Sequence, residues 1–419
     1  MKDKLSELAL HGGTPVRDTP FPPRAHIGIE EKEAAVAYLD QVLATGTLRS
    51  YQGEEEEAYC AQFADYLGGG YADAVSSGST AIYVALLALQ LDAFSEVIIG
   101  PFTDPGGIMP IPLQCLIPMI ADAAPGSYNT GPEQIEALIS PRTSAIIVPH
   151  IAGEPADIGA IMELARAHGI PVIEDCAQSH GARYKGQLLG SFGDISAFST
   201  MTGKHHSSGA QGGVVFTRDE QLYQSVRRMA DRGKPHFLPE GATNMQATLN
   251  FNQTDLAAVV GQVQLRKLPD LVERRRAIVG QLIEGTADLE MITLPQYPPG
   301  MDSSFWFLPV AFHPERASCD KETFCASVRA EGLPVTDDYR TGLPQLQEWY
   351  TKRRVFGSSG YPWTSPLYKG DPDRDFPNPN AHAMLQSHFN MHFHESWGVQ
   401  EVDDIIAVFH KVAAAYSSG

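Results

Sequence analysis

Between residues 75 and 217 the chain alternates short apolar, β-branched runs with amphipathic stretches of helical period, an order few folds accept. "EVIIGPF", "IPMIADA", "SAIIVPHI", "IPVIEDCA", "DISAFST" and "GGVVFT" read as strands, and "TAIYVALLALQL", "EQIEALIS" and "IGAIMELARAHG" as helices. Short apolar strands separated by helices of this length belong to a mostly parallel sheet covered on both faces. Ligands of such sheets sit beyond the carboxyl ends of the strands. That rule directs attention to Phe102 and Thr103, His150, Asp175, and Ser199 with the loop after it.

The 419 residues exceed the ~250–300 at which one hydrophobic core stops growing, which predicts a large and a smaller domain. A helical segment over 254–285 reads as the bridge between them, with Pro269 expected to kink or break it. We expect a large α/β domain over 1–285, with an N-terminal arm over 1–30, and a small α+β domain over 286–419. In the latter, "CDKETFCASVRAEG" and "VQEVDDIIAVFHKVAAAY" read as helices, and the Gly- and Pro-rich stretch 357–380 as an ordered loop.

Charge narrows the function classes. Fifty acidic residues against 31 basic ones leave a net charge of −19, which repels nucleic acid and anionic membrane. Any phosphate site must therefore be built locally from backbone N–H groups and helix ends. Five scattered cysteines without a C-x-x-C pair argue against a disulfide framework or a cysteine zinc site. No apolar run has the length of a membrane span, and the first residues lack the apolar core of a signal peptide; the expectation is a soluble, cytoplasmic protein.

Three signals carry chemistry. In "SSGSTAIYVALLAL", Gly78, Ser79 and Thr80 open a helix, where free N–H groups and the positive dipole end suit an anion, or where a serine simply caps. "VIEDCAQSHGA" ends a strand in Asp175, whose carboxylate can hold a proton on a heteroaromatic nitrogen or cap the next turn. "FSTMTGKHHSSGAQGG" places Lys204 five residues past Ser199 and before a Gly-rich loop, as either a solvated charge or an amine nucleophile in a pocket. Together these form a phosphate cup, a partner for a pyridinium nitrogen, and an amine for a Schiff base.

The ordered series "SSGSTAI", "PHIAGEPAD", "VIEDCAQSHGARYKGQLLGSFGD", "FSTMTGK", "GGVVFT" and "LNFNQTDLAAVVGQVQLRKL" resembles the DegT/StrS family of pyridoxal-phosphate enzymes, mostly sugar and cyclitol aminotransferases. The resemblance spans residues 9–285 and continues more faintly beyond. It implies fold type I: a large domain around a mostly parallel seven-stranded sheet, and a smaller C-terminal α+β domain. By position, it implies that Lys204 attaches pyridoxal 5'-phosphate, that Asp175 pairs with the ring nitrogen, and that Gly78, Ser79, Thr80 and Ser199 meet the phosphate. Gln178 is implied near the ring and its O3'. Asn250 and Asn252, before "DLAA", are the candidates to reach a partner's pocket in a homodimer with a shared active site. The implied activity moves an amino group from glutamate or glutamine to a keto-sugar or keto-cyclitol in natural-product or amino-sugar biosynthesis. The opening "LALHGGTPVR" resembles members acting on cyclitols. Elimination, dehydration or oxidation by a divergent member is one alternative, and a non-catalytic sensor another.

The chain departs from the family pattern where an aromatic residue usually stacks on the cofactor; here stands Asp104, followed by Pro105, Gly106 and Gly107. Either Phe102 stacks and Asp104 starts a turn, or Asp104 lies near the ring or substrate. His205 and His206 either donate to backbone or supply one substrate contact. Tyr339 and Arg340 are further candidate substrate contacts. His388, Asn390, His392 and His394 alternate with Phe389, Met391 and Phe393 as a two-faced strand; no metal site is expected, and Glu395 is the first acid to test. The acidic run in "GEEEEAYC" and the basic run in "VERRRAIV" both read as solvated helix faces.

Overall fold

The computed structural model describes residues 2–48 and 51–417. At its centre is a seven-stranded sheet built from β1 (Tyr71–Val75), β2 (Glu96–Ile99), β3 (Ile117–Ile120), β4 (Thr143–Pro149), β5 (Val172–Asp175), β6 (Ile195–Ser199) and β7 (Gly213–Thr217), in the order β1-β7-β6-β5-β4-β2-β3. Neighbours from β6 to β3 are parallel, and β7 runs against both β6 and β1. The six runs with β-branched patterning form strands. β1, "YADAV", escapes the pattern because two alanines and an aspartate have little β preference; pairing with β7 along all five residues holds it. These directions bring the carboxyl ends of β1, β2, β4, β5 and β6 and the start of β7 to one edge. Ile146, Ile147 and Ile173 in the middle strands are fully buried, each stabilising by about 1.5–3 kcal/mol.

Helices cover both faces: α1 (Ile29–Thr45), α2 (Glu54–Tyr66), α3 (Gly78–Ala88), α4 (Pro105–Ile108), α5 (Ile158–His168), α6 (Glu220–Ala230) and α7 (Asp255–Gly285). Pro269 does not break α7, which is continuous for 31 residues. An interior proline costs about 3 kcal/mol. Here burial of Leu265, Leu268, Leu271 and Val272 in the first core and of Ile278, Val279 and Leu282 in the second offsets it.

That second core is built on a four-stranded sheet of β8 (Ile292–Thr293), β9 (Leu308–Phe312), β10 (Val335–Thr336) and β11 (His388–Met391), in the order β8-β9-β11-β10, with α8 (Lys321–Ala330) and α9 (Val399–Tyr416) packed on it. Leu8, from the N-terminal end, is fully buried in the same core. Phe389, Met391 and Phe393 point into it, as the alternation requires. The Gly- and Pro-rich stretch returns to the first core through Trp363, Tyr368 and Phe376, where the Tyr368 hydroxyl donates to Glu96 at the start of β2. No helix among the described residues is long and apolar enough to cross a membrane.

Each of the two charge runs presents an exposed face, as expected, but buries one member. Glu56 is buried with its Oε1 3.7 Å from Arg227, which also pairs with Asp73 at 2.7 Å and Glu57 at 2.5 Å. Arg275 is buried beneath Glu395. In each case an opposite charge from a distant element supplies what water would have.

Candidate active site

The lysine loop leaves β6 and folds back on itself: Thr200 N–H donates to Gly212 O at 2.8 Å, Thr202 N–H to Ala210 O at 3.1 Å, and Lys204 N–H to Met201 O at 2.9 Å. Small residues are obligatory here, because a Cβ on Gly212 would overlap the Ser208 and Thr200 hydroxyls. Lys204 is not a solvated charge: its residue is 7% exposed. Among the described residues its Nζ has no hydrogen-bond partner, and it lies 4.1 Å from the centroid of the Trp306 ring. Burial pulls the amine's pKa below the ordinary lysine value, and the carboxylates of Asp104 and Asp175 oppose that pull.

Around this amine is a cavity of about 240 Å³ lined by Ser77, Gly78, Ser79, Asp104, Asp175 and Ser199 among others. Asp175, the last residue of β5, accepts at Oδ1 from the N–H of Ala177 at 3.0 Å. Its burial pushes the carboxyl pKa up, opposed by that N–H and by Lys204. Across the cavity, Ser77 caps α3 by accepting from Thr80 N–H at 3.1 Å, which leaves the N–H groups of Gly78 and Ser79 directed out of the helix end. Gly78 packs so closely on β6 that an added Cβ would lie 3.0 Å from Ser199 Oγ. The cavity thus presents helix N–H donors with adjoining hydroxyls at one end, a buried carboxylate, and a buried amine.

Asp104 both starts a turn and faces the cavity. It caps α4, accepting at Oδ1 from Gly106 N–H at 2.9 Å, and it lines the cavity beside Lys204. The two glycines after it let α4 approach: a Cβ on Gly106 would overlap Ser79 Oγ, and one on Gly107 would lie 2.9 Å from Asp175 Oδ2.

Other expected residues lie elsewhere. Thr80 is held in the capping box, its hydroxyl donating to Ser77 O at 2.8 Å and accepting from Ser77 N–H at 2.9 Å, so it does not face the cavity. Phe102 is fully buried and stacks on Tyr339 with centroids 6.0 Å apart, away from the cavity lining. Gln178 is next to this pair: its Nε2 donates to Tyr339 Oη at 3.0 Å and its Oε1 accepts from Ala152 N–H at 3.0 Å. Arg340 is exposed and paired with Asp338 at 2.5 Å, so it contributes nothing to the lining. Of the two readings of His205 and His206, donation to backbone is the one seen and the substrate contact is corrected: both are buried, and their Nε2 atoms donate to Ser304 O at 3.0 Å and Gly261 O at 3.1 Å. Burial depresses His206 to about 4, keeping it neutral. Asn250 is exposed and accepts from Asn252 Nδ2 at 2.7 Å, while Asn252 bridges to Val75 at the end of β1; neither lines the cavity.

Among the described residues, His150, Glu174 and Cys176 alone have the spacing of a metal site. The Glu174 oxygens already accept from Gly190, Phe192 and Gly193 N–H groups and from His150 Nε2. Trp306 beside the amine, and Met201, Gln211, Gly106 and Gly107 in the cavity lining, were not foreseen. The two glycines sat in plain view beside Asp104, but nothing local in "SSFWFLP" marks the tryptophan as a neighbour of a lysine 102 positions earlier.

A model of the DegT/DnrJ/EryC1/StrS aminotransferase family matches residues 29–370. A protein of Streptoalloteichus tenebrarius, provisionally named L-glutamine:3-amino-2,3-dideoxy-scyllo-inosose aminotransferase, is 31% identical over 342 residues, which is 78% of this chain and 79% of that one. The L-glutamine:2-deoxy-scyllo-inosose aminotransferase of Micromonospora echinospora is 32% identical over 300 residues, 68% of this chain and 70% of its own. Among solved structures, an aminotransferase from Psychrobacter cryohalolentis superposes with a TM-score of 0.82 at 25% identity, covering 94% of this chain and 99% of that one.

Proposed function

Because the chain belongs to the DegT/DnrJ/EryC1/StrS aminotransferase family, we propose that the Lys204 cavity is its catalytic centre and that the acceptor is a keto-cyclitol or keto-sugar. The enzyme is a fold type I aminotransferase dependent on pyridoxal 5'-phosphate. The residues present suit that cofactor: helix N–H groups and Ser199 for a phosphate, Asp175 for a ring nitrogen, Lys204 for a carbonyl, and glycines that leave the space between.

When bound, the cofactor supplies a carbonyl that takes up the amino group and a ring that accepts electrons from a breaking Cα–H bond. The protein's part is positional and electrostatic. The N–H groups of Gly78 and Ser79, with the positive end of α3, would hold the phosphate, and Asp175, ionised, would keep a proton on the ring nitrogen. Lys204 Nζ would be the point of attachment for the cofactor's carbonyl and, when free, the base placed to take a proton from the donor's Cα. A free lysine near 10.4 would stay protonated at neutral pH; burial of Lys204 acts against that, so one side chain serves as nucleophile and base.

The observation that carries this reading is an amine buried against the Trp306 ring in the same cavity as Asp175 and a helix N-terminus. Glutamine or glutamate is the proposed donor; the names of the two bacterial relatives, both L-glutamine aminotransferases, support glutamine. A homodimer with a shared site is proposed as well. Its support is the apolar surface left by Ile29, Val36, Leu39 and Leu43 on α1 and by Met245, Leu249 and Leu256 around Asn250 and Asn252. Five free thiols, three of them buried, support a cytoplasmic location. Incubation with glutamine or glutamate and a panel of keto-cyclitols and nucleotide-linked keto-sugars, read by mass spectrometry, tests the substrate class. Amination of at least one panel member is expected; none from either donor refutes the assignment.

A further inference from the structure

Arg24 lies in the irregular stretch between residues 12 and 28, outside every motif considered above. Its Nη1 donates to the carbonyls of Lys204 at 2.7 Å and Gly203 at 3.2 Å, and its Nη2 to that of His205 at 3.3 Å. Three successive carbonyls on one planar fork fix the curl of the loop at the lysine itself. The remaining donor, Nε, bonds Glu395 Oε1 at 2.7 Å, and Glu395 Oε2 accepts from Arg275 Nη1 at 2.7 Å. Arg275 in turn donates to the carbonyls of Phe305 at 2.9 Å, Trp306 at 2.9 Å and Phe393 at 3.0 Å. Trp306 closes the circle, because its Nε1 donates to Gly203 O at 3.2 Å and its ring lies against Lys204 Nζ.

Side-chain exposures of 15% for Arg24, 8% for Glu395 and 3% for Arg275 show that water does not dissolve this network. Buried ion pairs are a poor way to gain stability, and apolar side chains of like volume often do as well. Apolar side chains cannot, however, hold carbonyls in place. Arg24 and Arg275 hold both the backbone of the lysine loop and the residue on whose ring the amine rests.

We propose that Arg24 is a positioning residue for Lys204, acting through the loop carbonyls of 203–205, with Glu395 and Arg275 fixing its direction. The catalytic consequence rests on the reading of Lys204 as the cofactor lysine; the loop-holding consequence does not. Arg24→Met and Arg24→Lys in the full chain test it by two readouts. Amide hydrogen exchange over 201–208 in the protein as purified quickens on the order of ten-fold in Arg24→Met, with β4 and β5 unchanged, and is intermediate in Arg24→Lys. Wild-type exchange over that loop in Arg24→Met overturns the proposal. In the cofactor-loaded enzyme, kcat falls on the order of a hundred-fold in Arg24→Met while donor KM stays within about three-fold, and Arg24→Lys recovers part of the loss. A wild-type kcat, or a loss confined to KM, overturns it. If Lys204→Ala retained covalently attached cofactor, the assignment of Lys204 would fail and with it the catalytic consequence, while the exchange result would still decide whether Arg24 holds the loop. Should Arg24→Met not fold, Glu395→Gln, which keeps the guanidinium and weakens its anchor, is read in the same two ways with the same expected directions.

Discussion

Replacing Glu56 by glutamine raises stability at alkaline pH and removes a specific part of the protein's pH dependence. Glu56 is 3% exposed; its Oε1 accepts from Ala74 N–H at 3.3 Å and from Cys60 Sγ at 3.1 Å, while its Oε2 has no partner. One guanidinium, Arg227, faces Glu56, Glu57 and Asp73. Burial, then repulsion from Asp73, pushes the Glu56 carboxyl from its ordinary 4.5 to about 7. A carboxyl raised on folding contributes stability fully below pH 4.5 and loses it as pH climbs through 7. That rise is worth about 3 kcal/mol at roughly 1.36 kcal/mol per pH unit. Glutamine mimics the protonated acid at every pH, less about 1 kcal/mol for an amide group left without a partner. The two proteins therefore match to about 1 kcal/mol at pH 4.5, and by pH 9 the variant is more stable by about 2 kcal/mol. Urea unfolding of both proteins across that range measures the difference, and groups titrating alike in both cancel from it. A stability difference that does not change with pH refutes the account of this cluster.

Asp175→Asn cannot hold the ring proton by charge, so turnover falls on the order of 10²–10⁴-fold while the far-ultraviolet circular dichroism stays unchanged; a loss under ten-fold on the same scale contradicts the assignment. Asp104→Asn removes a carboxylate that raises the Lys204 pKa, so the pH midpoint for acylation of Lys204, followed by peptide mass spectrometry on cofactor-stripped protein, moves down; an unmoved or higher midpoint counts against that contact. Gly107→Ala sets a Cβ 2.9 Å from Asp175 Oδ2 and over the Thr103 hydroxyl. Overpacking of about 1–3 kcal/mol translates into roughly ten- to hundred-fold weaker cofactor binding, measured by equilibrium dialysis, and wild-type affinity would show the gap to be tolerant.

Sequence reasoning reached the parts of the site that sit on strand ends. Asp175 and Ser199 close β5 and β6, and Gly78 and Ser79 open α3; parallel strands deliver such positions to one edge however their side chains pack. It left alternatives open, or missed the outcome, wherever that outcome depended on what arrives from elsewhere. Backbone donation and a substrate contact both stay open for the histidine pair after Lys204, because nothing local says that the carbonyls of Ser304 and Gly261 will take both rings out of the cavity. Nor does "GEEEEAYC" reveal that Glu56 is buried against Arg227, 171 positions later, while Glu54 and Glu57 stay exposed.

The sequence by itself determined the alternating architecture, the lysine after a strand, and the loop of small residues that lets the chain double back. These follow from periodicity and steric size, which act between near neighbours along the chain. Tertiary structure alone decided that α7 passes through Pro269, that Trp306 lies against the Lys204 amine, and that Arg24 grips the loop from 180 residues away. Desolvation is the reason. Whether a charge is exposed, paired or left bare in a cavity is set by which distant groups displace its water, and only the folded chain brings those groups together.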